Sequence, residues 1–282
     1  MAGFMTSKIN ISVGDWKPAP SPVSRPLCAI GDIHGNARKL EALVEHLRAH
    51  LQPGGALVYL GDLIDPHPKR DHAHDCAAVL DIVATPLPNT ETVVLCGNHD
   101  AFFLIAIDAH RNGTSLPWET SHWFAQGGLA TGAAWGLAYS RTNPLDERAF
   151  AAELWSRMTP TQRGVFEGIK IWHDHDQYLL VHAGFEPRVP LAKQQARASI
   201  LEYPTTRSED EHPLWMRFNH NTDAAPKGRV LVHGHTSMRK ALLGRKRICL
   251  DTGVKYGGPL TALEIVGDRM RLIQAIDGDD NA

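Results

Sequence analysis

The sequence predicts an α/β fold in which two mixed β-sheets pack face to face and helices cover them, and three observations predict it. Short apolar runs of strand length recur after residue 26, each bounded by glycine. Amphipathic helical patterns lie between the early runs, so the strands they join are expected to pair in parallel. Toward the C-terminus the pattern changes to strand-like runs at 247–250, 260–266 and 270–276, and Gly267-Asp268 between the last two reads as a tight hairpin turn.

Taken in order, residues 1–26 contain Lys17-Pro-Ala-Pro-Ser-Pro22 and read as an extended N-terminal arm. A single domain, 27–282, follows. Its apolar runs end alike: Leu27–Ile30 enters Gly31-Asp32, Ala56–Leu60 enters Gly61-Asp62, and Thr92–Cys96 enters Gly97-Asn98. Tyr178–Val181 enters His182-Ala-Gly184, and Arg229–Val232 enters His233-Gly-His235. Between them, Leu40, Leu43, Val44, Leu47 and Leu51 keep the rhythm of an amphipathic helix, and Phe103, Leu104 and Ile107 begin another that Gly113 can end. Residues 113–175 read as a polar, mostly helical cap whose Trp118, Trp123 and Trp135 are expected to pack in a core. His173 and His175 read as exposed loop residues, and the basic run Arg239–Arg247 as a solvated hairpin.

Composition narrows the function classes. The 282 residues carry a formal net charge of −2, which gives no pull toward duplex nucleic acid or anionic membrane. No apolar run approaches the ~20 residues that span a bilayer. The first residues lack the pattern of a secretory signal. The four scattered cysteines, Cys28, Cys76, Cys96 and Cys249, read as free thiols, three of them inside apolar runs, and a reducing cytoplasm is expected. Nothing in the sequence specifies an oligomeric state.

Each strand ending delivers a polar side chain just past a strand, and in open α/β sheets ligands gather at that edge. Asp32 and His34 lie two apart on a turn flanked by Gly31 and Gly35, so both can face one ion. The two oxygens of Asp62 can bridge two cations, Asn98 offers a carbonyl oxygen, and His182 and His235 offer imidazole nitrogens. Oxygen and nitrogen ligands without thiolate suit manganese, iron, zinc, nickel or cobalt and argue against calcium. Two such ions about 3.5–4 Å apart can share a hydroxide, which attacks phosphorus in line with the leaving oxygen. His99, beside Asn98, is placed to protonate that oxygen, and Asp65 to orient its ring.

The blocks Gly31-Asp-Ile-His-Gly35, Gly61-Asp-Leu-Ile-Asp65, Gly97-Asn-His-Asp100, His182-Ala-Gly184 and Gly234-His-Thr236 occur in this order. Together they resemble the signature of the phosphoprotein phosphatase family of calcineurin-like metallophosphoesterases. The bacterial branch, which includes the phage lambda protein phosphatase and diadenosine tetraphosphate hydrolase, looks most similar. Gln126-Gly-Gly128 with Thr131, Leu214-Trp-Met-Arg217 and Asp251-Thr-Gly253 extend the resemblance over about residues 26–270. It implies a four-layer fold with 27–282 as the catalytic domain. It also implies Asp32 and His34 on a first metal, Asp62 bridging, Asn98, His182 and His235 on a second, His99 with Asp65 as the acid pair, and Arg217 on the phosphate.

The implied activity is a binuclear, manganese-favouring phosphoester hydrolase of serine/threonine phosphatase type, its partner a phosphoprotein or a small phosphoester or nucleotide. Diadenosine tetraphosphate hydrolysis is the alternative, and a catalytically silent phospho-binding module a third reading. One departure stands out. The family arginine expected after Asp65 is Pro66, so either Lys69 or Arg70 reaches back to supply a second phosphate contact or the substrate needs less clamping. His233 is expected to point away from the metals.

Overall fold

Strand alternation and the order in which strands pair set the layers of the molecule. The computed structural model describes residues 8–68, 75–119, 121–137, 146–204, 212–219 and 222–278. The chain opens with strands β1 (Ile9–Val13), β2 (Lys17–Pro18), β3 (Leu27–Ile30), β4 (Ala56–Tyr59) and β5 (Glu91–Val94). It then builds a second sheet from β6 (Trp172–His175), β7 (Tyr178–Val181), β8 (Val230–His233), β9 (Leu242–Leu243) and β10 (Arg247–Cys249). The hairpin of β11 (Leu260–Val266) and β12 (Arg269–Asp277) returns to the first sheet, which runs β1-β12-β11-β3-β4-β5 with β2 beside β12. Both sheets are mixed. Strands β3, β4 and β5 are parallel, as are β7, β8 and β10, and their outer neighbours are antiparallel.

Successive side chains on a strand face opposite ways. Leu27 and Ala29 of β3 therefore join Tyr178 and Leu180 of β7 and Val230 and Val232 of β8 in the interior between the sheets. Cys28 and Ile30 face the other way and meet the helices. Leu179 and Val181 of β7 pack outward with Phe185, Met216 and Phe218. Strands buried on both faces read as continuous apolar runs, which is why β3, β4, β7 and β8 were plain in the sequence.

Seven α-helices lie among the described residues: α1 (Ala37–His50), α2 (Cys76–Val83), α3 (Asn98–Asn112), α4 (Leu129–Ala133), α5 (Glu147–Arg157), α6 (Pro160–Glu167) and α7 (Leu191–Gln195). The α1 stripe Leu40, Leu43, Val44 and Leu47 is buried, and Gly113 ends α3 in the left-handed region at φ 64°. Thr159 and Gln162 cap α6 reciprocally with Pro160 at its first position. Phe150 and Leu154 of α5 and Val165 and Phe166 of α6 share one core with Phe103 of α3. No helix among the described residues is long and apolar enough to cross a membrane.

Several local expectations need correction. The segment read as an arm includes β1 and β2, which lie along β12; the alternation Ile9, Ile11 and Val13 supplies a strand ahead of the proline-rich stretch 18–26. The helical stretch of 113–175 ends at Glu167, and Trp172–His175 is an edge strand of the second sheet rather than a loop. His175 is buried there with Nε2 3.0 Å from the Arg25 carbonyl. Arg247, read within a solvated hairpin, is fully buried: its guanidinium lies 4.8 Å from the Phe218 ring and donates to the Thr222 carbonyl. The four cysteines are buried and free, as expected.

Candidate metal centre

The parallel registers Ile30↔Tyr59 and Tyr59↔Val94 bring the C-terminal ends of β3, β4 and β5 level, so Asp32, Asp62 and Asn98 emerge side by side. The second sheet does the same with β7 and β8, which deliver His182 and His235 to the same edge. The six sequence-predicted ligands thereby meet around one pocket of about 250 Å³, with His182 beneath its floor. Two sets of ligand atoms, one from His34, Asp62 and His99 and one from Asp32, Asp62 and His182, each lie within 4.8 Å of one another, and Asp62 belongs to both.

The backbone makes this convergence tight. Seven non-glycine residues among those described have positive φ, and four of them are His34 (46°), Asp62 (51°), Asp65 (62°) and His235 (61°). A non-glycine residue held there costs about 1–3 kcal/mol and persists where surrounding structure over-determines it. A Cβ on Gly234 would collide with the Asp32 carboxylate, and one on Gly97 with the Asp62 carboxylate, so these turns admit only glycine beside the acids.

The imidazoles of His34 and His182 are each held by a main-chain carbonyl through Nδ1, which leaves Nε2 facing the site, whereas His235 has Nδ1 against Asn98 Oδ1 and Nε2 3.2 Å from the Trp215 carbonyl. His34 Nδ1 lies 3.1 and 3.0 Å from the carbonyls of Ile64 and Asp65, and His182 Nδ1 lies 2.9 Å from the Leu60 carbonyl. Donation to those carbonyls places the lone pair on Nε2, which in both rings points at Asp62, 3.4 and 3.5 Å from its carboxylate oxygens. Asn98 Oδ1 sits 3.0 Å from His182 Nε2 and 2.8 Å from His235 Nδ1. The His235 amide donates to both Asp32 oxygens.

Electrostatics point the same way. Burial raises the Asp32 carboxyl well above its ordinary range, and the nearby Asp251 and Asp62 add to it; burial carries Asp62 to about 7. Burial likewise lowers His34 and His235, and His182 to about 4, so these rings are neutral lone-pair donors at physiological pH. Crowded carboxylates beside neutral imidazoles and an amide oxygen form a donor set that fits divalent cations of the manganese, iron or zinc kind. Asp32, His34, Asp62, Asn98, His182 and His235 are the residues that would hold them.

His99 and Asp65 are also paired, with Nδ1 3.0 Å from Oδ2. Asp65 is fully buried, and Trp123 Nε1 and Thr131 Oγ1 donate to its two oxygens at 2.9 and 2.6 Å. Trp123 was expected as core packing and is indeed buried, yet its indole N–H also braces this carboxylate. Asp100 accepts from the amides of Gly97 and Leu63, tying the third ligand turn to the second. Arg217 lines the pocket. Lys69 and Arg70 lie outside the described residues. His233 points away, its Nε2 3.3 Å from Arg247 Nη1.

The sequence reading passed over Lys255, whose Nζ lies 3.1 Å from His99 Nε2 inside the pocket. A lone lysine carries no periodic signal. Its position four residues after Asp251, just past the block Asp251-Thr-Gly253, was the one available clue.

Residues 25–263 match the family described as calcineurin-like phosphoesterase. The chain belongs to the calcineurin-like phosphoesterase family and is a metallophosphoesterase, a hydrolase. A search of the curated proteins gave no match. Among solved structures the chain is similar to a candidate diadenosine tetraphosphatase, with 18% identity, 93% of this chain and 97% of that one covered, and a TM-score of 0.50. It is also similar to a cold-active protein-tyrosine phosphatase of a psychrophile, Shewanella sp., with 17% identity, 88% and 77% covered, and a TM-score of 0.53. At such identities the likeness shows the shared fold of two mixed sheets flanked by helices, which agrees with the sequence expectation.

Proposed function

We propose that the protein is a binuclear phosphomonoesterase of serine/threonine phosphatase type, with the single domain 27–282 as its catalytic unit and a reducing cytoplasm as its setting. The observation that carries this reading is the membership of Asp62 in both ligand groups, at the junction of two sets of strand ends. By the motif resemblance Asp32 and His34 would hold one cation, Asn98, His182 and His235 the other, and Asp62 would join them; the two ligand groups share Asp62 but set His34 with His99 and Asp32 with His182. Manganese is the favoured metal by the motif resemblance, and the mixed oxygen and nitrogen donors suit it as they suit iron, zinc, nickel or cobalt. When bound, such a pair lowers the pKa of water to near neutrality and offsets phosphoryl charge.

The remaining chemistry falls to the chain's own groups. Arg217 offers a planar donor fork to phosphoryl oxygens at the pocket. His99 gives a proton from Nε2 to the leaving oxygen, while Asp65 fixes the ring through Nδ1. Burial and the Lys255 ammonium make the free ring a poor base, and a phosphoryl dianion in the pocket opposes that effect and favours the imidazolium.

The test is hydrolysis of p-nitrophenyl phosphate by manganese-loaded protein and by Asp62→Asn. The variant is expected to lose more than the ~10–100-fold typical of removing a partner behind a metal ligand. Full activity in Asp62→Asn would remove the bridge. A second reading, a dinucleoside polyphosphate hydrolase, draws on Phe102, Trp215 and Tyr256, aromatic side chains that line the same pocket and can stack on a base. Faster turnover of diadenosine tetraphosphate than of phosphopeptides, read by product chromatography, would favour it.

A further inference from the structure

Lys255 stands on the 3₁₀ turn Val254–Tyr256, and its side chain reaches back into the metal pocket, where the residue is 8% exposed. Lysine is rarely buried so far unless an anion or a full set of acceptors meets it. Here the ammonium donates to His99 Nε2 at 3.1 Å and to the Gln126 carbonyl at 3.1 Å, both uncharged acceptors. An ammonium has three donors, and these two contacts occupy two of them. The carboxylates of Asp65, Asp62, Asp32 and Asp251 act on it from farther away.

The surroundings narrow its role. Gln126, which holds Lys255, precedes Gly127, and Gly127 lies directly against the Pro66 carbonyl. On the other side the Tyr256 ring meets His67, with centroids 5.6 Å apart. The lysine therefore enters the pocket beside Pro66, a residue that has no side-chain donor to offer. Among the described residues, Arg217 is the other lysine or arginine lining this pocket.

We propose that Lys255 is a phosphate-binding residue whose ammonium takes a non-bridging oxygen of the substrate phosphoryl group, alongside Arg217. The proposal rests on the phosphoester-hydrolase reading. A point-charge donor fits a role in which charge matters more than bidentate geometry. In the free protein His99 Nε2 and the Gln126 carbonyl keep the ammonium aimed into the site.

The test uses inorganic phosphate as the probe on the full-length, metal-loaded protein, by inhibition of p-nitrophenyl phosphate hydrolysis and by calorimetric titration. Lys255→Gln keeps a donor for one neutral acceptor and removes the charge, and Lys255→Arg keeps the charge. The expected result is phosphate binding about 10–100-fold weaker in Lys255→Gln with a raised KM, metal content equal to wild type, and recovery of most of the affinity in Lys255→Arg. In the zinc-loaded wild type, which needs no variant to fold, the Lys255 ¹³Cε resonance is expected to shift along the same phosphate saturation curve. A residue that only positions His99 would lower kcat in Lys255→Gln and leave phosphate affinity and KM unchanged. That result, or an unmoved Lys255 resonance, overturns the proposal. Wild-type protein that takes up metal yet neither binds phosphate nor hydrolyses any phosphoester tested would instead overturn the hydrolase reading beneath it.

Discussion

The floor and the rim of the pocket are built by different means. On the floor, Asp32, His34, Asp62, Asn98, His182 and His235 are all buried, and each side chain or its turn is held by a main-chain group or by another ligand. Strand register sets their spacing, and left-handed backbone aims three of them. At the rim, Arg217 is exposed and Tyr256 is 53% exposed, and both come from connections rather than strand ends. A constellation held by main chain tolerates little change, whereas a rim of long side chains on loops is free to vary with the substrate. The reaction class is written in the floor, and the choice of substrate belongs to the rim.

The contrast can be broken most sharply at Gly234. Gly234→Ala puts a methyl group where the Asp32 carboxylate now sits. It is expected to lower kcat/KM on p-nitrophenyl phosphate by about 100-fold through displacement of one ligand. The same overpacking should cost about 1–3 kcal/mol in denaturant unfolding. A variant as active as wild type would show that the floor yields easily. A step smaller is Thr131→Val, which removes the donor to Asp65 Oδ1. A hydrogen bond to a charged group contributes about 1.5–3 kcal/mol. The Asp65 carboxyl, already raised to about 7 by burial, should move higher, and the kcat pH profile should shift upward with it. An unmoved profile would detach Asp65 from the acid pair. Tyr256→Ala at the rim is expected to leave kcat on this small substrate within about twofold, as surface changes commonly do.

The pH dependence of metal stabilisation sharpens the same distinction. Burial raises Asp62 from 3.8 to about 7, so its contribution to metal-free stability is present below about pH 4 and is lost as pH rises through 7. His182 runs the opposite way: lowered from 6.5 to about 4, its contribution is present above 6.5 and is lost as pH falls through 4. A cation takes the place of the Asp62 proton and needs the neutral imidazole, so binding releases protons. The rise in melting temperature on adding manganese should be larger at about pH 8 than at about pH 5.5. Equal shifts at both values would place the ion on groups other than these.

What could be read from the sequence follows the same division. Gly31-Asp32, Gly61-Asp62 and Gly97-Asn98 were legible because each couples an apolar strand to a glycine turn that delivers one polar side chain. The hairpin at Gly267-Asp268 was legible from its turn residues. The edge strands were harder. In β1 three apolar residues alternate within a short polar segment that precedes the prolines of 18–26, and in β6 the alternation Trp-His-Asp-His is polar because an edge strand is covered less. Lys255 escaped notice and Arg247 was read as solvated because burial of a basic residue depends on partners distant in sequence, His99 and Gln126 in one case and Phe218 and Thr222 in the other. Trp123 read as core, since nothing local signals that its N–H meets a carboxylate 58 residues away.

Asp62 is proposed to join two cations, one held by Asp32 and His34 and the other by Asn98, His182 and His235. Metal analysis combined with electron paramagnetic resonance of the manganese-loaded protein tests it most directly. Two ions per chain with the spectrum of an exchange-coupled pair are expected in the wild type, and loss of that coupling in Asp62→Asn. A single isolated ion per chain, or two ions with no coupling in the wild type, would contradict it.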